Sequence, residues 1–538
     1  MTMGAPWWRG VTLYQIYPLS FCDSNGDGWG DLAGVTQHLD HVASLGVDGI
    51  WLSPFYRSPM RDFGYDCEDH CSVDPRLGTM DDADELIDRA HAMGLKVLVD
   101  QVYTYTSNRH RWFEESRSSH DNPRHDWYVW ADARPDGTPP NNWQTIFGGP
   151  AWEWDPGRRQ YYLTHFDPEM PHLNVNLPAV QDELLEVARF WLARGVDGFR
   201  LDVINLATVD PELRDNPPSG RPFATPDGAQ LHLHDRSWPA TLGFVRRLQS
   251  VVEEVPGRHT LAEFTLESAL DRSLELLGPG CIDTAYFVIG AETRPLSPAA
   301  VRTLVDELAS AGVWPTWAFG NHDVMRPVTR CASRGAEEDP RFAELLIAIL
   351  VCLRGNLLVY QGEELGLPHA DVPLDRLRDP EGIRFHSHGM RRDGARTPLP
   401  WTSEPPEGAE PWLPYDDRHL SMSVERQRHD PASTLARTTA WLQWRRTRAA
   451  LSDAPLTWGD SEDQVLVWRR STDDGEWWCL FDLGGRGAHH PLTGADAASI
   501  EISSAGVRAL DDGVELPPFG AAVLWVGAKP DLDNCVRK

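Results

Sequence analysis

The chain has 538 residues, 41% of them hydrophobic and 23 of them tryptophan, with 80 acidic against 50 basic side chains and a formal net charge of -30 at pH 7. That charge repels phosphate backbones and anionic lipid surfaces, which makes nucleic acid a poor partner and leaves neutral substrates fully compatible. No apolar run approaches the roughly 20 residues that cross a bilayer, and the opening MTMGAPWWRGVTLYQIYP lacks a basic, then apolar, then small-residue export pattern, so the expectation is a cytoplasmic protein without membrane association.

From residue 11 to about 360, short apolar runs alternate with helical patterns. VTLYQIYPLSF (11–21) reads as a strand, VTQHLDHVASLG (35–46) as a helix closed by Gly46, and VDGIWLSPF (47–55) as the next strand. DDADELIDRAHAMG has an acidic first turn and a closing glycine and leads into the buried strand LKVLVDQVY (95–103). The rhythm returns with ELLEVARFWLARG before VDGFRLDVI, ATLGFVRRLQSVVEEV before HTLAEF, and CIDTAYFVI. AAVRTLVDELASAG before VWPTWAF and RFAELLIAILVCLRG before NLLVY complete eight candidate strands. Repetition on this scale predicts an α/β fold, a parallel (β/α)8 TIM barrel.

Residues 105–175 break the rhythm with a stretch rich in Trp, Tyr, Asn, Pro and Gly, an excursion from the loop after strand three. A second irregular stretch covers about 364–415, and beyond about 455 the pattern becomes short and alternating (QVLVWRR, EWWCLFDL, GAAVLWVG), as in an antiparallel β domain. The expected domains are a catalytic barrel over 1–104 and 176–455, an inserted domain over 105–175 and a C-terminal β-sandwich over 456–538. Eight scattered cysteines fit reduced thiols; CEDHC (67–71) has no second cluster to complete a zinc site.

Acidic residues fall at the ends of these strands: Asp100, Asp202, Glu263 and Asp323. Acids also sit in loops as helix caps, but strand ends of a β/α barrel line one mouth, where four carboxylates would converge. Such a set suits glycosidic cleavage with retention: one carboxylate attacks the anomeric carbon and a second, about 5–5.5 Å away, protonates the leaving oxygen and later activates water. Mutual repulsion raises the proton affinity of one of them. Arg200, two residues before Asp202, points to the same face and can aim it, and His322 can donate to sugar hydroxyls.

The segments DQVYTYTS (100–107), DGFRLDVIN (197–205), LAEF (261–264) and FGNHD (319–323), with DFGYD (62–66), YQGEELGL (360–367) and RTPLPW (396–401), resemble the glycoside hydrolase family 13 α-glucosidases of the α-amylase superfamily, of the oligo-1,6-glucosidase and maltase kind. The resemblance implies Asp202 as nucleophile, Glu263 as acid/base and Asp323 as a third carboxylate that binds and distorts the sugar, with Arg200 positioning Asp202. It places Asp62, Tyr65, His322 and Arg396 on the terminal glucose and closes the pocket, making the enzyme exo-acting on a small carbohydrate as monomer or homodimer. DSNGDGWGD (23–31) offers the oxygens of Asp23, Asn25, Asp27 and Asp31 and the Trp29 carbonyl. Gly34 stands where an EF-hand needs glutamate, but the resemblance implies a structural Ca2+ or Mg2+ here, with no organic cofactor.

Three positions depart from the family pattern. Tyr105 stands where histidine normally meets the 6-hydroxyl end of glucose, so it either reaches that hydroxyl from a shifted backbone or fills the space and favours a sugar altered at C6. Ala262 adds a methyl beside Glu263 where glycine is common. Val203 accompanies α-1,6 preference in relatives, whereas the whole sequence looks closer to maltose-type glucosidases, so linkage stays open. A transglycosylase or sucrose isomerase would share the covalent intermediate, and a non-catalytic binding protein would share only the fold.

Overall fold

Eight parallel strands form the centre of the molecule: β1 (Thr12–Ile16), β2 (Gly49–Leu52), β3 (Lys96–Gln101), β4 (Gly198–Leu201), β5 (His259–Ala262), β6 (Thr284–Val288), β7 (Pro315–Ala318) and β8 (Asn356–Tyr360). Each pairs with its neighbours in sequence and β8 pairs with β1, closing a TIM barrel. The computed structural model describes residues 6–220, 222–223, 225–265, 270–291, 295–333, 335–386, 392–460, 464–491 and 498–527. The strands are buried on both faces, which is why they read as near-continuous apolar runs. Inside the barrel, Val11, Leu13, Trp51, Leu98, Leu261, Tyr286, Ala318 and Leu358 pack into a plug.

The outer helices are amphipathic and well terminated. Helix Met80–Ala92 begins in a reciprocal cap between Thr79 and Asp82 and buries Leu86 and Ile87. Helix Pro178–Ala193 starts on proline and buries Leu184, Ala188 and Trp191 against the barrel. Among the described residues no helix is long and apolar enough to cross a membrane, and Cys22, Cys67, Cys71, Cys281, Cys352 and Cys479 are free thiols. Cys535 lies outside the described residues.

Two local expectations change. The strand read over 11–21 ends at Ile16, because Pro18 opens a short helix, Pro18–Phe21, at a position where its missing N–H costs nothing. The helix read over 35–46 is two, Leu32–Gln37 and Leu39–Ser44, parted at His38. A further excursion, unflagged by periodicity, follows β4: between Ala207 and Ala240 the only helical pieces among the described residues are short turns such as Asp227–Ala229. It lies against the segment after β3, with the Asn142 amide on the Asn216 carbonyl (2.8 Å) and the Trp143 indole on the Arg214 carbonyl (2.9 Å). The segment after β3 carries a three-stranded antiparallel sheet of Trp130–Ala131, Gln160–Leu163 and Trp152–Asp155. C-terminal to the barrel, a five-stranded and a three-stranded antiparallel sheet bury Val467, Leu480 and Leu524 of one against Val514 and Leu516 of the other.

Candidate active site

The ladder hydrogen bonds that close the barrel run one residue past the strands. Asp202 N–H donates to the Gln101 carbonyl (3.0 Å) and Glu263 N–H to the Leu201 carbonyl (3.0 Å), so both carboxylates leave the C-terminal rim at defined heights. Asp100 and Arg200 are register partners across β3 and β4, and the spacing of two puts Arg200 and Asp202 on one face. Backbone strain marks the next position: Val203 adopts φ +32°, a left-handed conformation costly for a β-branched residue. It turns the chain sharply just after Asp202.

Arg200 is completely buried, and its Nη1 donates to Asp100 (2.6 Å) and to Asp202 Oδ1 (2.7 Å). Its Nη2 donates to Glu263 Oε2 and to the Tyr286 hydroxyl (3.2 Å), which in turn donates to Glu263 Oε1. The guanidinium lies over the Trp51 ring at 4.8 Å. Asp100 also accepts from Trp51 Nε1 (3.1 Å) and the Tyr65 hydroxyl (3.2 Å). Burial pushes Asp100 up to about 6 against the pull of Arg200, and it pushes Asp202 up as well, against Arg200 and the Tyr105 hydroxyl. Three carboxylates on one guanidinium repel each other enough to retain a proton among them near neutral pH.

Tyr105 occupies an unexpected position. Its hydroxyl donates to Asp202 Oδ2 at 2.5 Å, while its ring meets Phe166 edge-on at 5.1 Å and packs with Tyr65, Met170 and Val203. His110, the nearest histidine downstream of Tyr105, caps helix Arg111–Ser118 and packs on Trp112 and His70.

A second charged cluster forms the facing wall. Asp323 Oδ1 accepts from Arg396 Nη2 (2.7 Å) and Arg392 Nη1 (2.9 Å), and His322 Nε2 lies 3.1 Å from Oδ2. Burial alone would raise Asp323, but the guanidinium groups of Arg396 and Arg392 reverse this and hold it well below the usual carboxylate range. The His322 ring is sandwiched between Tyr65 (5.2 Å) and Tyr17 (5.3 Å), and its Nδ1 meets the Gln15 amide (2.8 Å). Burial keeps this imidazole neutral. Asp62 is bound by Arg392 (2.9 Å), not by Arg396, and Arg392 continues to Asp379 (2.6 Å). The side chains of Glu263 and Asp323 are 15% and 29% exposed, against 0% for Arg200, so the pocket opens on their side.

All nine candidate substrate and catalytic residues thus share one network. Arg392 and Tyr286 belong to it and were missed. Arg392 precedes Arg396 by four residues, a helical spacing that could have flagged it, and Tyr286 sits in strand six, where only a barrel register reveals an inward side chain. The metal candidates lie apart, after helix Pro18–Phe21. Asp23 accepts from Gly26 (2.7 Å) and Gly28 (2.8 Å), Asn25 from Asp27 (2.9 Å), and Asp27 from Trp29 (2.9 Å). Asp31 instead faces Gly34 and Ser24. Among the described residues no three His, Cys, Asp or Glu side chains converge as metal ligands; what the loop does present is a hard-oxygen donor set.

A closed barrel whose rim gathers carboxylates around one buried arginine defines a glycoside hydrolase. The chain belongs to the α-amylase family, whose catalytic-domain profile matches residues 15–454. It is 43% identical over 533 residues to a probable α-glucosidase of Rhizobium meliloti (strain 1021), covering 96% of both chains. Among solved structures it is similar to the α-glucosyl transfer enzyme XgtA, with TM-score 0.92 and 41% identity over 97% of this chain and 100% of that one. It is also similar to an isomaltulose synthase variant from Erwinia rhapontici NX5, with TM-score 0.88 and 26% identity over 98% and 100% of the two chains.

Proposed function

We propose a retaining, exo-acting α-glucosidase that removes terminal α-linked glucose from disaccharides, short oligosaccharides or simple α-glucosides. The observation that carries this reading is the single guanidinium of Arg200 joining Asp202 to Glu263, which holds nucleophile and acid/base at neighbouring strand ends within the span of one side chain, as the short carboxyl separation of a retaining pair requires. Asp202 attacks the anomeric carbon; the glycosidic bond breaks, and its electron pair goes to the leaving oxygen, which takes a proton from Glu263. Water then attacks the same carbon as Glu263 accepts its proton, and the ester electron pair returns to Asp202. Asp323, kept ionised by Arg396 and Arg392, accepts hydrogen bonds from sugar hydroxyls. The Asp62–Arg392–Asp379 wall limits the pocket to one terminal unit.

Proton NMR of p-nitrophenyl α-D-glucoside hydrolysis tests this: α-glucose should form first, and maltotriose should lose glucose only from its non-reducing end. Initial β-glucose, or internal cleavage, would sink the proposal.

Similarity to XgtA and to an isomaltulose synthase supports a second reading, in which a sugar hydroxyl replaces water in the second step. Incubation with sucrose and with maltose separates the two: equimolar glucose and fructose from sucrose, and two glucose per maltose consumed, mark hydrolysis; isomeric or longer saccharides mark transfer. We further infer a structural Ca2+ or Mg2+ in the loop of Asp23, Asn25, Asp27, Trp29 and Asp31, supported by its alternating oxygen donors and remote from bond cleavage.

A further inference from the structure

We propose that Tyr105 is a positioning residue that acts through Asp202, slowing formation of the glycosyl-enzyme and speeding its breakdown, so that the covalent intermediate does not accumulate. The inference rests on Asp202 as nucleophile. Each Asp202 oxygen has a donor: Arg200 on Oδ1 (2.7 Å) and the Tyr105 hydroxyl on Oδ2 (2.5 Å). The Tyr105 donor is not incidental, because its ring is fixed by Phe166, Met170 and Val203 and the residue is only 2% exposed.

The nucleophile reacts ionised, and a hydrogen bond to its full carboxylate is roughly twice as strong as one to a neutral oxygen. When Asp202 attacks, the C1–aglycone bond breaks, the C1–Oδ2 bond forms and the negative charge leaves the carboxylate. The phenol therefore stabilises the resting enzyme more than the first transition state. In the second step, water bonds to C1, Glu263 takes its proton and the C1–Oδ2 pair returns to Asp202. Charge now grows beside the phenol, which stabilises that transition state. Removing the hydroxyl leaves an aspartate that attacks as well or better and departs less readily.

The test is Tyr105→Phe, which keeps the ring against Phe166, assayed on aryl α-glucosides whose phenols differ in acidity. For the wild type, kcat should depend on the leaving group and show no burst. For the variant, kcat should fall about tenfold, become independent of the leaving group and follow a burst of about one phenol per enzyme, while KM falls in parallel. A variant with leaving-group-dependent kcat and no burst overturns the proposal. Labelling of the wild type with 5-fluoro-α-D-glucosyl fluoride, followed by peptide mass spectrometry, tests the underlying reading separately. A label on Asp202 sustains the nucleophile whatever Tyr105 does; a label elsewhere removes both.

Discussion

The Tyr105 hydroxyl donates to Asp202 Oδ2 at 2.5 Å, so the phenol is committed to a carboxylate instead of facing a sugar hydroxyl. The wall it shares with Phe166 and Met170 is apolar, and the C6 hydroxyl of a bound glucose finds no donor on Tyr105 beyond the one already engaged. Glucose recognition then falls on Asp62, Tyr65, His322 and the two arginines. Wild type should prefer p-nitrophenyl α-D-glucoside to the α-D-xyloside, which lacks C6. Tyr105→His should raise that preference a further ~2- to 10-fold, the worth of one hydrogen bond. The ratio of the two kcat/KM values cancels effects on Asp202 itself, and a wild-type preference for the xyloside would assign the pocket to a C6-altered sugar.

Asp202→Asn should lower kcat/KM on the order of 10^4-fold, because the amide keeps the shape but cannot form the ester. In Asp202→Gly, azide should restore turnover and yield β-glucosyl azide, the product of attack from the vacated face. Failure of azide, with the variant still folded by circular dichroism, would move the nucleophile elsewhere.

Arg392 pairs with four acidic side chains, Asp62, Asp323, Asp379 and Glu381, from a buried position. Removing one partner from such a cluster costs about 3–5 kcal/mol because unpaired charges stay behind. Arg392→Ala should therefore lower Tm and raise KM for p-nitrophenyl α-D-glucoside at least ~10-fold, since Asp62 loses its guanidinium partner and Asp323 keeps only Arg396. An unchanged KM would detach this wall from substrate binding.

The barrel was legible because its strands are buried on both faces, so apolar runs and helical periods alternate visibly along the chain. The four carboxylates were legible because each stands at, or within a few residues of, the C-terminal end of such a run. Pairing was not: Arg396 meets Asp323 while Arg392, which no motif marked, takes Asp62, a choice set by how the turn around helix Asp393–Arg396 presents two guanidinium groups. The excursion after β4 escaped detection because its order comes from contacts with the segment after β3, such as Asn142 with Asn216, and not from any period of its own. Tyr105 was visible as a departure, but the partner of its hydroxyl depends on how Val203 turns the chain after Asp202, which no pattern encodes.

Chelation should separate the Asp23–Asp31 loop from the chemistry. With a cation bound to the folded state, EDTA should lower Tm and added Ca2+ or Mg2+ should restore it, in proportion to the logarithm of free ion concentration. At 25 °C, kcat should stay unchanged, since the loop contributes nothing to the Arg200 cluster. An identical Tm with and without chelator would show that the loop is held by its Asx turns alone.

Glu363 provides a pH test of the scaffold under the catalytic loop. It is 5% exposed, neither carboxyl oxygen has a hydrogen-bond partner among the described residues, and it lies against Gly320, just before Asn321, His322 and Asp323. Burial pushes it up to about 8, with Arg326 and Arg330 lowering it and Glu364 raising it. The folded state thus holds a proton that the unfolded chain releases near pH 4.3. Stability from this group is complete below that pH and is lost as pH rises, by up to about 1.4 kcal/mol per unit, until the folded group itself ionises near pH 8. Glu363→Gln stays neutral at every pH. Its melting temperature should fall less steeply than that of wild type between pH 5 and pH 8, so the variant gains on wild type as the solution becomes more alkaline. Any offset from burying the amide is constant across the series and leaves the slopes comparable. Parallel melting curves across the same range would mean that Glu363 is already ionised and paired in the folded protein.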